Sequence, residues 1–190
     1  IYPYTAASNP LKNLFPPWLQ EGGIEAMITR LKASDIRQRL RSEITSDGLN
    51  NFGRVPDWNS IRISISPDMP QYAGRTIADI AAERETDDFN MALDYIVEDR
   101  GKTRVLVSSI SEEDVTDFVR CPDVMIGSDG NSVSPKGVKG QGRPHPLFNG
   151  TFPRILGEYC REREILPLHQ AIWKMTGASA KALDLKDRGR

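Results

Sequence analysis

The sequence is short of residue types on which several classes of function depend. Only two of its 190 residues are cysteines and two are histidines. Cys121 and Cys160 lie far apart without a CxxC pair, which favours a reduced, cytoplasmic protein over one held together by disulfides. His145 and His169 form neither an HxH nor an HExxH pattern, so the chain by itself lacks the usual ligand set of a zinc hydrolase.

Long apolar runs, a strong net charge and an initiator methionine are missing as well. No apolar run approaches the roughly 18 residues that a membrane-spanning helix needs, so we expect no membrane partner. The formal net charge of −1 provides no long-range attraction to nucleic acid. The composition, with 38% apolar and 27% charged residues, is that of an ordinary globular protein. Because the sequence opens on Ile1 and closes on a charged turn, we expect it to be a piece of a larger protein.

Helical and strand periodicities alternate along much of the chain. One-sided helical spacing is clearest over residues 89–97. Apolar and polar residues alternate over 61–65, which predicts a strand with one solvated face, and the run at 104–110 predicts a second strand. Residues 6–10 carry no strand signal and are expected to be loop. The pattern between residues 13 and 121 therefore predicts a small α/β subdomain.

The stretch DVMIGSDG, residues 123–130, places an acidic residue at the end of an apolar run. Val124-Met125-Ile126 has the length and composition of a strand buried on both faces, and glycines on either side of Ser128-Asp129 allow a sharp turn. Catalytic groups of a parallel barrel cluster where its strands run out into loops, and Asp129 stands at such a point. An aspartate there also serves as a cap for the next element, and spacing alone leaves both interpretations open.

The following segment, residues 131–146, is rich in glycine, proline and basic residues, which predicts a mobile surface loop. It lacks the GxxxxGKS/T pattern of a phosphate-binding loop, and Asp129-x-Asn131 opens like a calcium loop but lacks the later carboxylates. His145 stands between two prolines, and a structural and a substrate-facing role are both open to it. Only Asp129 is well placed as an acid or base, and a carboxylate needs an activated water, most readily from a metal, to hydrolyse an amide.

Seven motifs follow one another along the chain: YPYTAAS (Tyr2 to Ser8), PPWLQEGG (Pro16 to Gly23), MIGSDG (Met125 to Gly130), RPHP (Arg143 to Pro146), GTFPRILGEYCRE (Gly150 to Glu162), AIWKMTG (Ala171 to Gly177) and LKDRGR (Leu185 to Arg190). In this order they resemble the C-terminal part of the D-aminoacylases, the N-acyl-D-amino-acid deacylases of the amidohydrolase superfamily. The match is dense from residue 123 onward and patchy between residues 24 and 120.

The resemblance implies an α/β fold, namely a fragment of a metal-dependent (β/α)8 hydrolase barrel with an inserted small α/β subdomain. Residues 1–12 would form barrel strand 7 and its loop, residues 13–121 the inserted subdomain, and residues 122–190 barrel strand 8 with the closing helices. The parent would hold Zn²⁺ through ligands on earlier strands, which this chain does not contain.

The resemblance also implies site residues. Asp129 matches the aspartate that takes a proton from the metal-bound water and passes it to the departing amine, and it is a candidate metal ligand. Tyr2 and Ser8 match residues that hold the substrate. Where the family has His-Pro-Arg, with an arginine for the substrate carboxylate, this chain has Leu147, so we name Arg143 and His145 as the candidate substrate-binding residues there.

These observations predict part of a zinc-dependent hydrolase of non-peptide C–N bonds, acting on small N-acyl-D-amino acids. We expect the isolated chain to be inactive, and to be able to self-associate through unpaired sheet edges. The alternative is an excised α/β module that binds or interacts, taken from a non-catalytic relative of the barrel.

Overall fold

The computed structural model describes residues 1–53, 57–132, 134, 136–137 and 142–189. The predicted loop at 131–146 therefore lies partly outside the described residues. The strands are β1 (Ala6–Pro10), β2 (Ile61–Ile65) and β3 (Arg104–Ser108). The α-helices are α1 (Pro17–Gln20), α2 (Gly23–Leu31), α3 (Ser34–Asp47), α4 (Ile77–Glu83), α5 (Asp88–Glu98), α6 (Glu112–Arg120), α7 (Leu147–Arg154), α8 (Leu168–Met175) and α9 (Gly177–Ala182). A π-helical segment, Ile155–Glu162, continues α7.

The chain forms two compact units, and the fold is α/β as predicted. Residues 6–109 and 140–145 make up the sheet unit, and residues 1–5, 110–139 and 146–190 make up the helical unit. No helix among the described residues is long and apolar enough to cross a bilayer. The insertion of residues 13–121 between two barrel strands stays a prediction.

The sheet unit is built on three antiparallel strands in the order β1-β3-β2. The strands predicted at 61–65 and 104–110 are confirmed as β2 and β3. The expectation of a loop at residues 6–10 is wrong, because these residues pair with β3 from Ala6 opposite Ser108 to Pro10 opposite Arg104. Alanine, serine and asparagine have weak strand preference, so the pairing partner rather than the local sequence makes this strand.

Helices cover the sheet and complete the core of this unit. The predicted helical stripe at 89–97 is confirmed in α5, where Leu93 and Ile96 are fully buried and Phe89 is 5% exposed. Asp87 caps α5 by accepting a hydrogen bond from the Asn90 N–H. The buried apolar side chains of the sheet and of these helices form one continuous cluster, which gives the sheet unit its own hydrophobic core.

The structure assigns no strand within residues 1–5 or at residues 124–126 of the helical unit, and their places as barrel strands 7 and 8 stay a prediction. The Ile1 amino group donates to Met125 O (2.8 Å) and the Gly127 N–H donates to Ile1 O (3.0 Å). These two bonds have the pattern of a single parallel bridge. Pairing stops there because the Tyr4 N–H donates to Tyr2 O (3.0 Å) and Pro3 has no N–H to donate.

Candidate functional site

Asp129 lies in the loop that follows the buried Ile126, as the sequence predicts. Its side chain is exposed, and its backbone has φ = +50°, in the left-handed region. Aspartate is among the few non-glycine residues that adopt this conformation readily. The Gly130 N–H donates to Ser128 Oγ (3.2 Å), which closes a tight turn around the carboxylate. The loop therefore presents the carboxylate to solvent instead of using it to cap the next helix.

Tyr2 lies close enough to Asp129 for the two groups to interact electrostatically. Partial burial raises the pKa of the Tyr2 phenol, and the nearby Asp129 carboxylate raises it further, because a phenolate beside a carboxylate is disfavoured. The phenol thus keeps its proton and can donate a hydrogen bond at neutral pH.

An open, mostly polar cleft of about 630 Å³ lies beside this loop in the helical unit. Its walls include both neighbours of Asp129, and they are formed by Ser128, Gly130, Asn131, Ser132, Ser134, Phe148 and Asn149. The cleft has room for a small molecule, and Asp129 itself is not among the residues that line it.

Ser8 lies in β1 of the sheet unit, opposite Leu106. Its hydroxyl accepts a hydrogen bond from Arg104 Nη2 (3.3 Å), and its carbonyl oxygen accepts a second from the same nitrogen (3.4 Å). The hydroxyl still has its own proton to donate, so Ser8 can bind an acceptor on a ligand.

His145 is buried, with 2% of its surface exposed, and its Nε2 lies 2.7 Å from Ala6 O. A carbonyl oxygen only accepts, so Nε2 carries the proton and donates. Of the two roles open to His145, the structure shows the structural one, a hydrogen bond that links its segment to β1. Contact of His145 with substrate stays a prediction. His169 is exposed on α8.

Arg143 is exposed, but its backbone is held firmly to β2. The Arg143 N–H donates to Ser64 O (2.8 Å), and the Ser64 hydroxyl donates to Arg143 O (2.8 Å). Its guanidinium lies against Gly74 and has no hydrogen-bond or ion-pair partner among the described residues. The sequence singled out Arg143 but indicated neither Ser64 nor Gly74, because contacts across the sheet unit leave no mark in local spacing.

The structure thus divides the predicted site residues between the units. Tyr2 and Asp129 come together in the helical unit, and Ser8, Arg143 and His145 belong to the sheet unit. Within the ranges that the structure describes, no three His, Cys, Asp or Glu side chains converge in a way that could hold a metal ion. The described residues therefore do not by themselves fit a zinc site.

Lys174 is a residue of the helical unit that sequence reasoning missed. It is 3% exposed, and its ammonium donates to the carbonyl oxygens of Cys121 and of Val124, the latter at 2.9 Å. Burial lowers the pKa of this amine. The Ile126 N–H in turn donates to Lys174 O (3.2 Å), so this residue holds the segment that leads to Asp129 at three points. A lysine between the apolar positions of a helix ordinarily points to solvent, which is why no pattern indicated this contact.

Comparison with known proteins identifies relatives. The chain is 35% identical over 121 residues to a D-aminoacylase and 32% identical over 137 residues to an N-acyl-D-glutamate deacylase, both from Alcaligenes xylosoxydans xylosoxydans. These matches cover 64% and 72% of the chain but only 22% and 26% of the relatives. No protein-family model matches the sequence.

Solved structures agree with the sequence relatives. The N-acyl-D-glutamate deacylase from Bordetella bronchiseptica, solved with zinc and a phosphonate mimic of the tetrahedral intermediate, superposes with a TM-score of 0.63 at 25% identity, over 100% of this chain and 29% of that one. A D-aminoacylase, described as defining a novel subset of amidohydrolases, superposes with a TM-score of 0.61 at 28% identity, over 99% of this chain and 29% of that one. The chain therefore belongs with the D-aminoacylases and N-acyl-D-amino-acid deacylases, and it matches about a quarter of their length.

Proposed function

We propose that this chain is part of a zinc-dependent hydrolase of amide bonds that deacylates N-acyl-D-amino acids, with Asp129 as its proton shuttle. The observation that carries the proposal is the match over the whole chain to a deacylase solved with zinc and a mimic of the tetrahedral intermediate. It is supported by identity to enzymes whose substrates are N-acyl-D-amino acids. In the fold we propose, residues 1–5 and 123–130 lie on neighbouring strands of a (β/α)8 barrel.

The role of Asp129 follows from the chemistry of amide cleavage. An amide nitrogen is a poor leaving group unless it is protonated, so the site needs a group that accepts a proton from the attacking water and then delivers it to the nitrogen. The Asp129 carboxylate is exposed, in a loop whose neighbouring residues line the cleft, and can do both. Tyr2, whose raised pKa keeps its proton in place, is suited to donate a hydrogen bond to an oxygen of the substrate.

Arg143, Ser8 and His145 are the further candidate contacts to substrate. Arg143 presents a guanidinium that no described carboxylate neutralises, which is the group best suited to a substrate carboxylate. The Ser8 hydroxyl is a further donor, and His145 ties the Arg143 segment to β1 through Ala6. In this proposal Arg143 performs the role of the family arginine, whose position in this chain is occupied by Leu147.

We assign the zinc to residues of the family-length protein outside this chain, with Asp129 as a candidate further ligand, and we expect the isolated chain to be inactive. Two free thiols, Cys121 and Cys160, are in keeping with a cytoplasmic protein, which we also propose.

The first test is the Asp129→Asn substitution in the family-length protein that contains this chain. We expect turnover of N-acetyl-D-methionine to fall by about 10²- to 10⁴-fold, because asparagine cannot accept and return the proton. Asp123→Asn is the matched control, since it removes the same charge from an exposed position at the start of this segment. Thermal unfolding should be unchanged in both variants, and turnover is compared at equal metal content because Asp129 is also a candidate metal ligand.

Wild-type turnover in a folded, metal-loaded Asp129→Asn variant would refute the proton-shuttle role. Binding of N-acetyl-D-methionine without any turnover by the unmodified protein would instead favour the alternative, a non-catalytic binding module.

A further inference from the structure

The backbone of β2 contains an irregularity at the point where it holds Arg143. Ile63 pairs with Val105 and Ile65 pairs with Arg104, so Ser64 is an extra residue on β2, a β-bulge. A bulged residue leaves the regular ladder, and bulges recur where a strand re-aims a group next to a site. Here the carbonyl oxygen of Ser64 accepts the Arg143 N–H, and its hydroxyl donates to the Arg143 carbonyl oxygen. The bulge thus fixes the Arg143 backbone on both sides.

A glycine next to the bulge receives the side chain of the same arginine. A Cβ atom placed on Gly74 would lie 2.6 to 2.8 Å from Nη1, Cζ and Nε of Arg143. Three guanidinium atoms at nearly the same distance mean that the plane of the group lies flat over the glycine. Gly74 has φ = +92°, and its N–H donates to Ile63 O (2.7 Å), so it is held in this conformation by β2. Only glycine combines this φ with so close an approach.

We propose that Gly74 and the bulge at Ser64 are positioning residues that hold the Arg143 guanidinium as the receptor for the substrate carboxylate. This inference rests on the proposed function and makes Gly74 a determinant of specificity for substrates with a free carboxylate. A guanidinium that lies flat over a glycine has its N–H edge directed sideways, which is the edge that binds a carboxylate through two parallel hydrogen bonds. Contact with Gly74 on one face, together with the backbone bonds to Ser64, restricts the side chain and so lowers the entropy cost of ordering it on binding.

The test compares Gly74→Ala with Gly23→Ala in the family-length protein. Both glycines have strongly positive φ, +92° and +84°, so both substitutions strain the backbone alike. A Cβ on Gly23 meets nothing within 4 Å, whereas one on Gly74 displaces the guanidinium. We expect KM for N-acetyl-D-methionine to rise about tenfold or more in Gly74→Ala, with kcat little changed, and neither constant to change in Gly23→Ala.

Two further readouts separate positioning from a general structural effect. The carboxamide of the same substrate lacks the charge that Arg143 would bind, so its KM should not respond to Gly74→Ala. Gly74→Ala and Arg143→Ala should also be non-additive, because both act through one guanidinium. If Gly74→Ala does not fold, Ser64→Ala removes one of the two backbone bonds to Arg143 and should raise KM for the carboxylate substrate alone.

The outcomes distinguish this inference from the proposed function. Hydrolysis with equal KM in Gly74→Ala and in Gly23→Ala would overturn the inference and leave the function standing. Absence of hydrolysis, with calorimetric binding of N-acetyl-D-methionine that is lost in Gly74→Ala, would overturn the function and support the inference. Neither hydrolysis nor binding would overturn both.

Discussion

Tyr159 is fully buried in the helical unit, and its phenol donates a 2.5 Å hydrogen bond to Oε1 of Glu112. Arg163 forms an ion pair with the same carboxylate. Burial raises the pKa of Tyr159 to about 12 from the usual value of 10, and the negative charge of Glu112 contributes in the same direction. The arrangement is stable only while the phenol keeps its proton.

The raised pKa of Tyr159 makes the stability of the protein fall with increasing pH in the alkaline range. A group whose pKa is raised by folding adds stability that is complete below pH 10 and is lost as the pH rises to about 12. We expect Tyr159→Phe to be less stable than the wild type at neutral pH, by about 1–3 kcal/mol for a hydrogen bond to a charged group. Urea unfolding should show this gap narrowing between pH 10 and pH 12, and a gap that stays constant across this range would contradict the assignment.

At the scale of elements, α4 begins with a reciprocal cap between Thr76 and Asp79, which stand at the spacing of a capping box. The Asp79 N–H donates to Thr76 Oγ1 and the Thr76 N–H donates to Asp79 Oδ2, both at 3.0 Å. These bonds satisfy two backbone donors that a helix otherwise leaves without partners. The bonds from the Thr76 N–H and hydroxyl to Asp79 also lower the pKa of that carboxyl.

We expect Thr76→Ala to lower the free energy of unfolding by about 1–2 kcal/mol, because it removes the cap acceptor. Thr45→Ala is the control, since the Thr45 hydroxyl only donates back to Arg41 O within α3 and alanine is the better helix former. Thr76→Ser should retain most of the stability. Equal urea midpoints for the two alanine variants would show that the capping box contributes nothing.

At the scale of the whole molecule, the large exposed apolar side chains of the described residues all belong to the helical unit: Phe118, Met125, Phe152, Leu168, Ile172, Trp173, Leu183 and Leu185. The sheet unit encloses its own core and exposes none of comparable size within its described residues. Such an uneven distribution is typical of a surface that is covered in a larger assembly.

We therefore predict that the isolated chain self-associates as its concentration rises. Analytical ultracentrifugation should show the association weakened in Ile172→Lys, which places a charge on the half-exposed face of α8. Gln38→Lys adds the same charge to an exposed position of α3 in the sheet unit and should leave the association unchanged. A monomer at all concentrations, or an equal effect of both substitutions, would contradict the prediction.

Elements whose signals are local could be predicted before the fold was known. Periodicity indicates the strands β2 and β3 and the apolar stripe of α5. The cap of α4 follows from hydrogen bonds between residues that are neighbours in the sequence. The loop position of Asp129 could be predicted in the same way, since a short apolar run that ends in glycines indicates where the chain leaves the core. The family resemblance likewise came from short motifs in order, and the comparisons confirm it.

Tertiary structure alone decided what depends on partners distant in the chain. β1 is a strand because β3 pairs with it. Residues 124–126 are not assigned as one, because the Val124 N–H donates to Cys121 O and the Ile126 N–H donates to Lys174 O. The Gly74 contact with Arg143 joins residues far apart in sequence, and no local spacing encodes it. Hydrogen bonds and close contacts act between whichever groups folding brings together, so their effect on a strand, a buried lysine or an arginine is visible only once the chain is folded.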